Sequence, residues 1–416
     1  MKLTDFVTEV DLLETEDYKV ISDGSVISPQ GIQAGGFHCG IKRKRPDLGW
    51  IYSEVPAEAA GVYTTNQFQA APLKVTQESL DVEQKLQSIL VNSGVANSCT
   101  GEEGLQNAYN MRAFFAQHFS LPEHYTAVVS TGLIGTQIPM EKVKQGINQI
   151  PFHVQEAEQF GRSILTTDTF IKHIAIELNI DGQKVIIGGA AKGSGMVHPN
   201  MATMLSFITT DAKVDQDDLS AALREITQST FNMITVDGDT STNDMVLAMA
   251  NGMAENKTLT KDHPEWDVFK QGLNIICESL SKMIARDGEG ATKLIEVEVQ
   301  GASTHEAAQK ISKTIVGSNL VKSAVFGNDA NWGRIVNALG YTGEPIQLEK
   351  LNVYLGSITV IENGSPVLFN EEDAITYLNQ ENIQIFVDLK QGESQATAWG
   401  CDLTYDYVKI NAAYRT

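Results

Sequence analysis

The residues best suited to chemistry gather near the middle of the chain, in the run Gly188 to Leu205, GGAAKGSGMVHPNMATML. There Gly189, Gly193 and Gly195 are interspersed with one cation, Lys192, one imidazole, His198, Pro199, and a hydroxyl, Thr203, that follows Ala202. Lys192 is a cation suited to a carboxylate, although by type alone it is equally a surface lysine. His198 alone reads as an ordinary loop or core histidine. A second set of polar residues recurs at the ends of apolar runs: Thr64-Thr65-Asn66, Asn92 to Gly101, Thr131-Gly132, Thr166 to Thr169 and Thr240 to Asp244. Hydroxyls and backbone N–H groups at strand ends can hold an oxyanion or a carboxylate. The same residue types are also common turn formers.

These residues need strands to hold them. KVIIGGA (Lys184 to Ala190) precedes the central run and MLSFITTDA (Met204 to Ala212) follows its start; both read as strands, joined by a glycine-rich loop. Further strands are expected at Leu86 to Asn92, Thr126 to Ser130, Lys172 to Leu178 and Met245 to Ala250, and one ending near Thr64. Helices are expected at Glu103 to Phe119, Met140 to Ile150, Asp215 to Phe231 and Pro264 to Arg286. From Lys293 the pattern changes. KLIEVEVQG alternates as a half-buried strand does, and roughly from residue 290 the chain reads as a second α/β unit. That unit is expected to hold helices at Thr304 to Ile315 and Asn331 to Leu339, and strands at Leu351 to Ile361, Ile383 to Leu389 and Gln395 to Thr404. The fold class is mixed α/β (α+β).

Composition narrows the function. With 416 residues, two or three domains are expected. The net charge of -21 opposes nucleic-acid binding, which needs clustered cations. The one basic run, Lys42 to Arg45, reads as a solvated turn before Pro46. The first residues carry no leader pattern and no window is long enough to span a membrane, so a cytoplasmic setting is expected. Cys39, Cys99, Cys277 and Cys401 lie far apart and the histidines are scattered, so no metal site and no disulfide framework is expected. The sequence contains no HExxH, GxSxG, GxxxxGK[ST] or CxxC, and Gly193-x-Gly195 lacks a dinucleotide fingerprint's third glycine.

Taken together, the motifs resemble one family closely. AAGVYTTN (59–66), VNSGVANSCTG (91–101), STGLIG (130–135), TTDT (166–169), KGSGMVHPNMATML (192–205), TSTND (240–244), DGEGATK (287–293), VFGNDANWGRI (325–335) and NAAYRT (411–416) occur in the order of the glutamate N-acetyltransferase / ornithine acetyltransferase family of arginine biosynthesis. Val95 and Met245 depart from its pattern. The resemblance implies a self-processing αββα-type sandwich domain followed by a smaller C-terminal α/β domain. It implies autocatalytic cleavage between Ala202 and Thr203, giving an alpha chain of 1–202 and a beta chain of 203–416, the latter with a middle part to about 290 and the C-terminal domain from about 291.

The implied activity is ping-pong transfer of an acetyl group from N2-acetyl-L-ornithine to L-glutamate through an acetyl-Thr203 intermediate. No bound cofactor is implied, and acetyl-CoA is expected as a second donor. Thr131 and Gly132 carry over as the oxyanion hole, and Thr166, Lys192, Thr203, Glu289, Asn411 and Thr416 as substrate-binding positions. A heterotetramer of two alpha and two beta chains is implied, with no nucleic-acid or membrane partner. Two other readings compete: a self-processing aminopeptidase or amidase of related fold, and an uncleaved, non-catalytic binding protein.

Overall fold

The computed structural model describes residues 18–198 and 204–413. Ala202, Thr203 and Thr416 lie outside the described residues. The chain forms two compact units. The first holds the described residues up to Gly193, those from 204 to Gln228, and Thr240–Leu280; the second holds Ser194–His198, Ser229–Asp239 and the described residues from Ser281 onward.

The first unit is built on one sheet. Its strands are β1 (Tyr18–Val20), β2 (Ile32–Phe37), β3 (Leu48–Tyr63), β4 (Lys85–Val95), β5 (Thr126–Leu133), β6 (Lys172–Ile180), β7 (Gln183–Lys192) and β8 (Leu205–Thr210). After the short β9 (Ile234–Thr235), which belongs to the second unit, β10 (Met245–Ala250) completes it. The order is β1-β6-β7-β8-β10-β3-β4-β5, with β2 on β3. Only β8 with β10 and β4 with β5 run parallel.

Alternation along the strands divides the side chains between two layers of core. Ile89 and Val91 of β4, Ala127 and Val129 of β5, Ala190 of β7, Phe207 of β8 and Leu247 of β10 share an inner core. Leu90 and Val128 point the other way, against Ala108, Met111 and Phe115 of the helix Gly101–Phe119. At the other outer face the helix Trp266–Arg286 begins. A Cβ on its Gly272 would meet Leu178 and Ile176 of β6, and Gly189 of β7 lies against its Ile276 and Leu280. The layering is helix, strands, strands, helix, as the resemblance implies.

Several boundaries differ from the sequence reading. Lys192 closes β7, so the strand read over Lys184 to Ala190 runs two residues further into the glycine-rich run. Its Gly188 and Gly189 are strand residues, as read, and close packing requires them: a Cβ at 188 would stand 2.2 Å from the Ser25 carbonyl oxygen, and one at 189 would stand 2.8 Å from Ile276 and Leu280. β3 starts at Leu48 and keeps Pro56 because its pairing with β4 shifts register between Tyr52 and Ala57.

The second unit carries a seven-stranded sheet, completed by β11 (Leu294–Ala302), β12 (Asn352–Leu355), β13 (Ile358–Glu362), β14 (Ser365–Pro366), β15 (Asn382–Asp388) and β16 (Ser394–Cys401), in the order β14-β13-β12-β15-β11-β16-β9. β11 alternates as read, burying Val297 and Val299 between Glu296 and Glu298. The helix His305–Gly317 starts at Thr304, whose hydroxyl accepts the Ala307 N–H at 3.1 Å. The single strand expected over Leu351 to Ile361 is a hairpin, β12 and β13, turned at Gly356 with φ +55°.

Candidate active site

The candidate residues fall into two groups, one in each unit. In the first unit, β4 and β5 are parallel, so their carboxyl ends share one side of the sheet. Ligands of mixed α/β proteins commonly bind there. Ser93 pairs with Thr131 and Gly94 with Gly132. Gly132 has φ +132°, and a Cβ there would lie 2.3 Å from the Gly94 carbonyl carbon, so only glycine fits. A buried amide network fixes these ends. Ser130 Oγ donates to Asn92 Oδ1 at 2.6 Å, Asn92 Nδ2 donates to the Val95 carbonyl at 2.9 Å, and Asn243 Nδ2 donates to the Ser130 carbonyl at 2.8 Å.

Thr131 is buried, and Lys192 Nζ donates to its Oγ1 at 3.3 Å. The hydroxyl oxygen is thus an acceptor for Lys192, which leaves its own hydrogen for another acceptor. Thr166 enters the same neighbourhood through Asp168. The Thr166 N–H donates to Asp168 Oδ2 at 2.9 Å, while Oδ1 accepts from Lys172 Nζ at 2.8 Å and from the Gly193 N–H at 2.7 Å. Burial opposes the charge on Asp168, but the Lys172 and Lys192 ammonium groups outweigh it and hold the carboxyl well below the usual range. Thus Thr131, Lys192 and the segment of Thr166 are brought together.

Asp244 stands at the start of β10 in the polar loop singled out by sequence. Burial pushes its carboxyl well above the ordinary value, with Lys192 opposing, and its Oδ2 has no hydrogen-bond partner. The site therefore holds two buried carboxyls shifted in opposite directions. Sequence reading included Asp168 and Asn243 in its motifs without assigning them a role. The signal available was the motif itself; the partners lie 25 and 113 residues away.

In the second unit Glu289 is buried and accepts a 2.7 Å hydrogen bond from Asn411 Nδ2. The Glu289 N–H donates to the Ser194 carbonyl at 2.9 Å, and Gly195 leaves room for the carboxylate, since a Cβ there would stand 2.3 Å from Glu289 Cδ. The run Met196-Val197 is held by Asp237, which accepts both N–H groups at 2.6 and 2.8 Å. Tyr407 of the helix Tyr405–Ala412 also donates to Asp237, at 3.3 Å, and burial and that carboxylate push its phenol up. His198 shares a 2.9 Å hydrogen bond with Thr235 Oγ1. Burial, with Lys313 nearby, pulls its imidazole down to about 4, so it is neutral at physiological pH.

One set of metal-type ligands is gathered among the described residues. The donor atoms of Asp181, His263 and Glu265 lie within 4.8 Å of one another. Asp181 also holds Lys257 Nζ at 3.3 Å, and Glu265 accepts the Asp181 N–H at 2.6 Å, so the group works as a clasp beside the β6–β7 turn. No described helix is long and apolar enough to cross a membrane.

The ArgJ family model matches residues 33–416. The arginine biosynthesis bifunctional protein ArgJ of Oceanobacillus iheyensis is 56% identical over 401 residues, covering 96% of this chain and 98% of the relative. The protein of the same name from Bacillus subtilis is 54% identical over 402 residues, covering 97% and 99%. The crystal structure of the Bacillus halodurans arginine biosynthesis bifunctional protein argJ is similar with a TM-score of 0.50 and 55% identity; the match covers 51% of this chain and 100% of that one. The motifs read from the sequence and the near-complete matches agree: the chain belongs to the ArgJ family.

Proposed function

We propose that this protein is an acetyltransferase that moves the acetyl group of N2-acetyl-L-ornithine to L-glutamate, and also accepts acetyl-CoA as donor. The observation that carries the reading is the Thr131–Gly132 pair at the end of β5, with Lys192 donating to the Thr131 hydroxyl. The Thr131 O–H and the Gly132 N–H serve the oxyanion of a tetrahedral intermediate, and a donor of this kind contributes roughly 10²–10³ in rate. Lys192 takes the substrate carboxylate, while Thr166, Glu289, Asn411 and Thr416 bind the rest.

The nucleophile is Thr203, made competent by cleavage of the Ala202–Thr203 bond. A threonine hydroxyl needs a neighbouring base, and a peptide nitrogen cannot be one. Cleavage frees an α-amine with a pKa of about 7.7–8.0, which takes the hydroxyl proton at neutral pH. Thr203 Oγ then attacks the acetyl carbonyl, ornithine leaves with the proton, and the amino group of glutamate takes the acetyl from the ester. A solved relative matched over its whole length by 51% of this chain supports a cut near the middle. The products are an alpha chain of 1–202 and a beta chain of 203–416, the latter with a C-terminal domain from about 291, assembled as two of each. The names of the relatives, with the word bifunctional, support two donors.

Thr203→Ala tests the mechanism. Intact mass and N-terminal sequencing should find two chains in the wild type, one starting at Thr203, and a single inactive chain in the variant. A variant that still transfers acetyl groups sinks the reading.

A further inference from the structure

The basic run Lys42 to Arg45 is more than a solvated turn. It lies in the loop between β2 and β3, and buried Asp47 staples that loop from inside. Asp47 Oδ1 accepts the Cys39 N–H at 2.6 Å, and Oδ2 accepts the Lys42 N–H at 2.8 Å and faces His38 Nδ1 at 3.0 Å. Lys142 Nζ adds a fifth cation, donating to the Gly40 carbonyl at 2.7 Å.

The loop is tied to the site residue by residue. The Asp47 carbonyl accepts the N–H of Ser93, which pairs with Thr131 across β4 and β5. Lys42 Nζ donates to the Pro46 carbonyl at 3.0 Å and to that of Leu165 at 2.6 Å, and Arg45 donates to that of Thr166 at 3.3 Å. Lys42 also lies within charge-interaction range of Asp168 and Lys192. Arg43 and Lys44 are exposed and have no acidic partner among the described residues. On a chain of net charge -21, this preorganised island of cations attracts an anionic ligand that the rest of the surface repels.

We propose that the loop from His38 to Asp47 is the phosphate-binding site for a nucleotide-type acyl donor, acetyl-CoA, with Arg43 and Lys44 as its contacts. The proposal rests on the acetyltransferase reading and assigns the second donor a place. The phosphates dock on the basic loop at the carboxyl-end side of β4 and β5, and the thioester carbonyl is served by Thr131 and Gly132. Thr203 Oγ bonds to the acetyl carbon, the C–S bond breaks, and the thiol leaves with the hydroxyl proton. Acetyl-ornithine carries no phosphate and makes no use of the loop.

The test is the double variant Arg43→Gln/Lys44→Gln, assayed with each donor. Loss of two charge-assisted contacts should raise the KM for acetyl-CoA by about tenfold or more. The KM and kcat with acetyl-ornithine should stay unchanged. Calorimetric binding of coenzyme A should weaken with added salt in the wild type and lose that dependence in the variant. Adenosine 3′,5′-bisphosphate should compete with acetyl-CoA better than inorganic phosphate does; equal competition would mean a general anion patch and overturn the proposal. Equal effects on both donors, or on neither, also overturn it. So does a wild type that transfers from acetyl-ornithine and binds no coenzyme A, which leaves the acetyltransferase reading standing. A wild type that transfers from neither donor overturns that reading itself.

Discussion

Asp168 and Asp244 are both buried in the first unit and both feel the charge of Lys192, yet their carboxyls are shifted in opposite directions, Asp168 down and Asp244 up. Asp168 receives three donors: the Lys172 ammonium and the N–H groups of Gly193 and Thr166. Asp244 leaves one oxygen without a partner. Burial pushes both carboxyls toward the neutral form, so depth does not separate them. The charge of Lys172 does: it lies against Asp168, which feels Lys192 as well, whereas the charge opposing burial at Asp244 is that of Lys192. Asp168 is a structural anion that pins the end of β7 to the segment before β6. Asp244 is a carboxyl whose neutral form burial favours, beside the cation proposed to hold the substrate.

The strongest way to break the contrast is Asp168→Asn. It leaves Lys172, whose side chain is fully buried, without its anion, and turns an amide donor toward the Thr166 N–H. Removing one partner of a buried pair costs about 3–5 kcal/mol, so the denaturant midpoint should fall accordingly. An unchanged midpoint would show that Asp168 is not the anion described.

Asp244→Asn should act in the opposite direction and more weakly. A carboxyl with a raised folded pKa makes folding release stability as pH climbs from its unfolded value, about 3.9, toward the folded one. The variant removes that loss. Its stability should match the wild type near pH 4 and exceed it at neutrality, by on the order of 1.4 kcal/mol for each unit by which the carboxyl is raised. A wild-type advantage at neutral pH would show that Asp244 is ionised.

The smallest effect sharpens the comparison from the acid side. Asp168, with its depressed pKa, contributes stability that is present above about pH 3.9 and is lost as pH falls toward its folded value. Asp244 contributes no loss over the same window because it already carries its proton. A melt series below pH 4 should therefore lose an acid-dependent component in Asp168→Asn and keep it in Asp244→Asn.

How much of this was legible in the sequence depends on the range of the interaction. The alternation of KLIEVEVQG is local, and β11 follows it. The helix Ala71–Glu83 went unread, although Pro72 is at home in its first turn. Its stop is equally unmarked, since Gln84, with φ +56°, occupies the left-handed position where glycine usually stands. Gly188 and Gly189 were read within a strand, but the need for glycine there was not legible, because what they accommodate, the Ser25 carbonyl and the helix starting at Trp266, lies far along the chain.

Within the candidate site, motif matching named Thr131, Gly132, Thr166 and Lys192 and left their order of contact unstated. Lys192 and Thr131 are 61 residues apart, and no spacing rule joins them. The charges that set Asp168 against Asp244 became readable only once Lys172, Lys192 and the Thr240 to Asp244 loop had been brought together.

The close approach of Gly132 to Gly94 has a consequence for genetics. The obstacle to a side chain at 132 is the main-chain carbonyl carbon of Gly94, which every residue type carries. No change of side chain at 94 opens space for it, and the left-handed φ of 132 penalises the substitution independently. A selection for recovery from Gly132→Ala should therefore return glycine at 132 itself, with no compensating change at its neighbour.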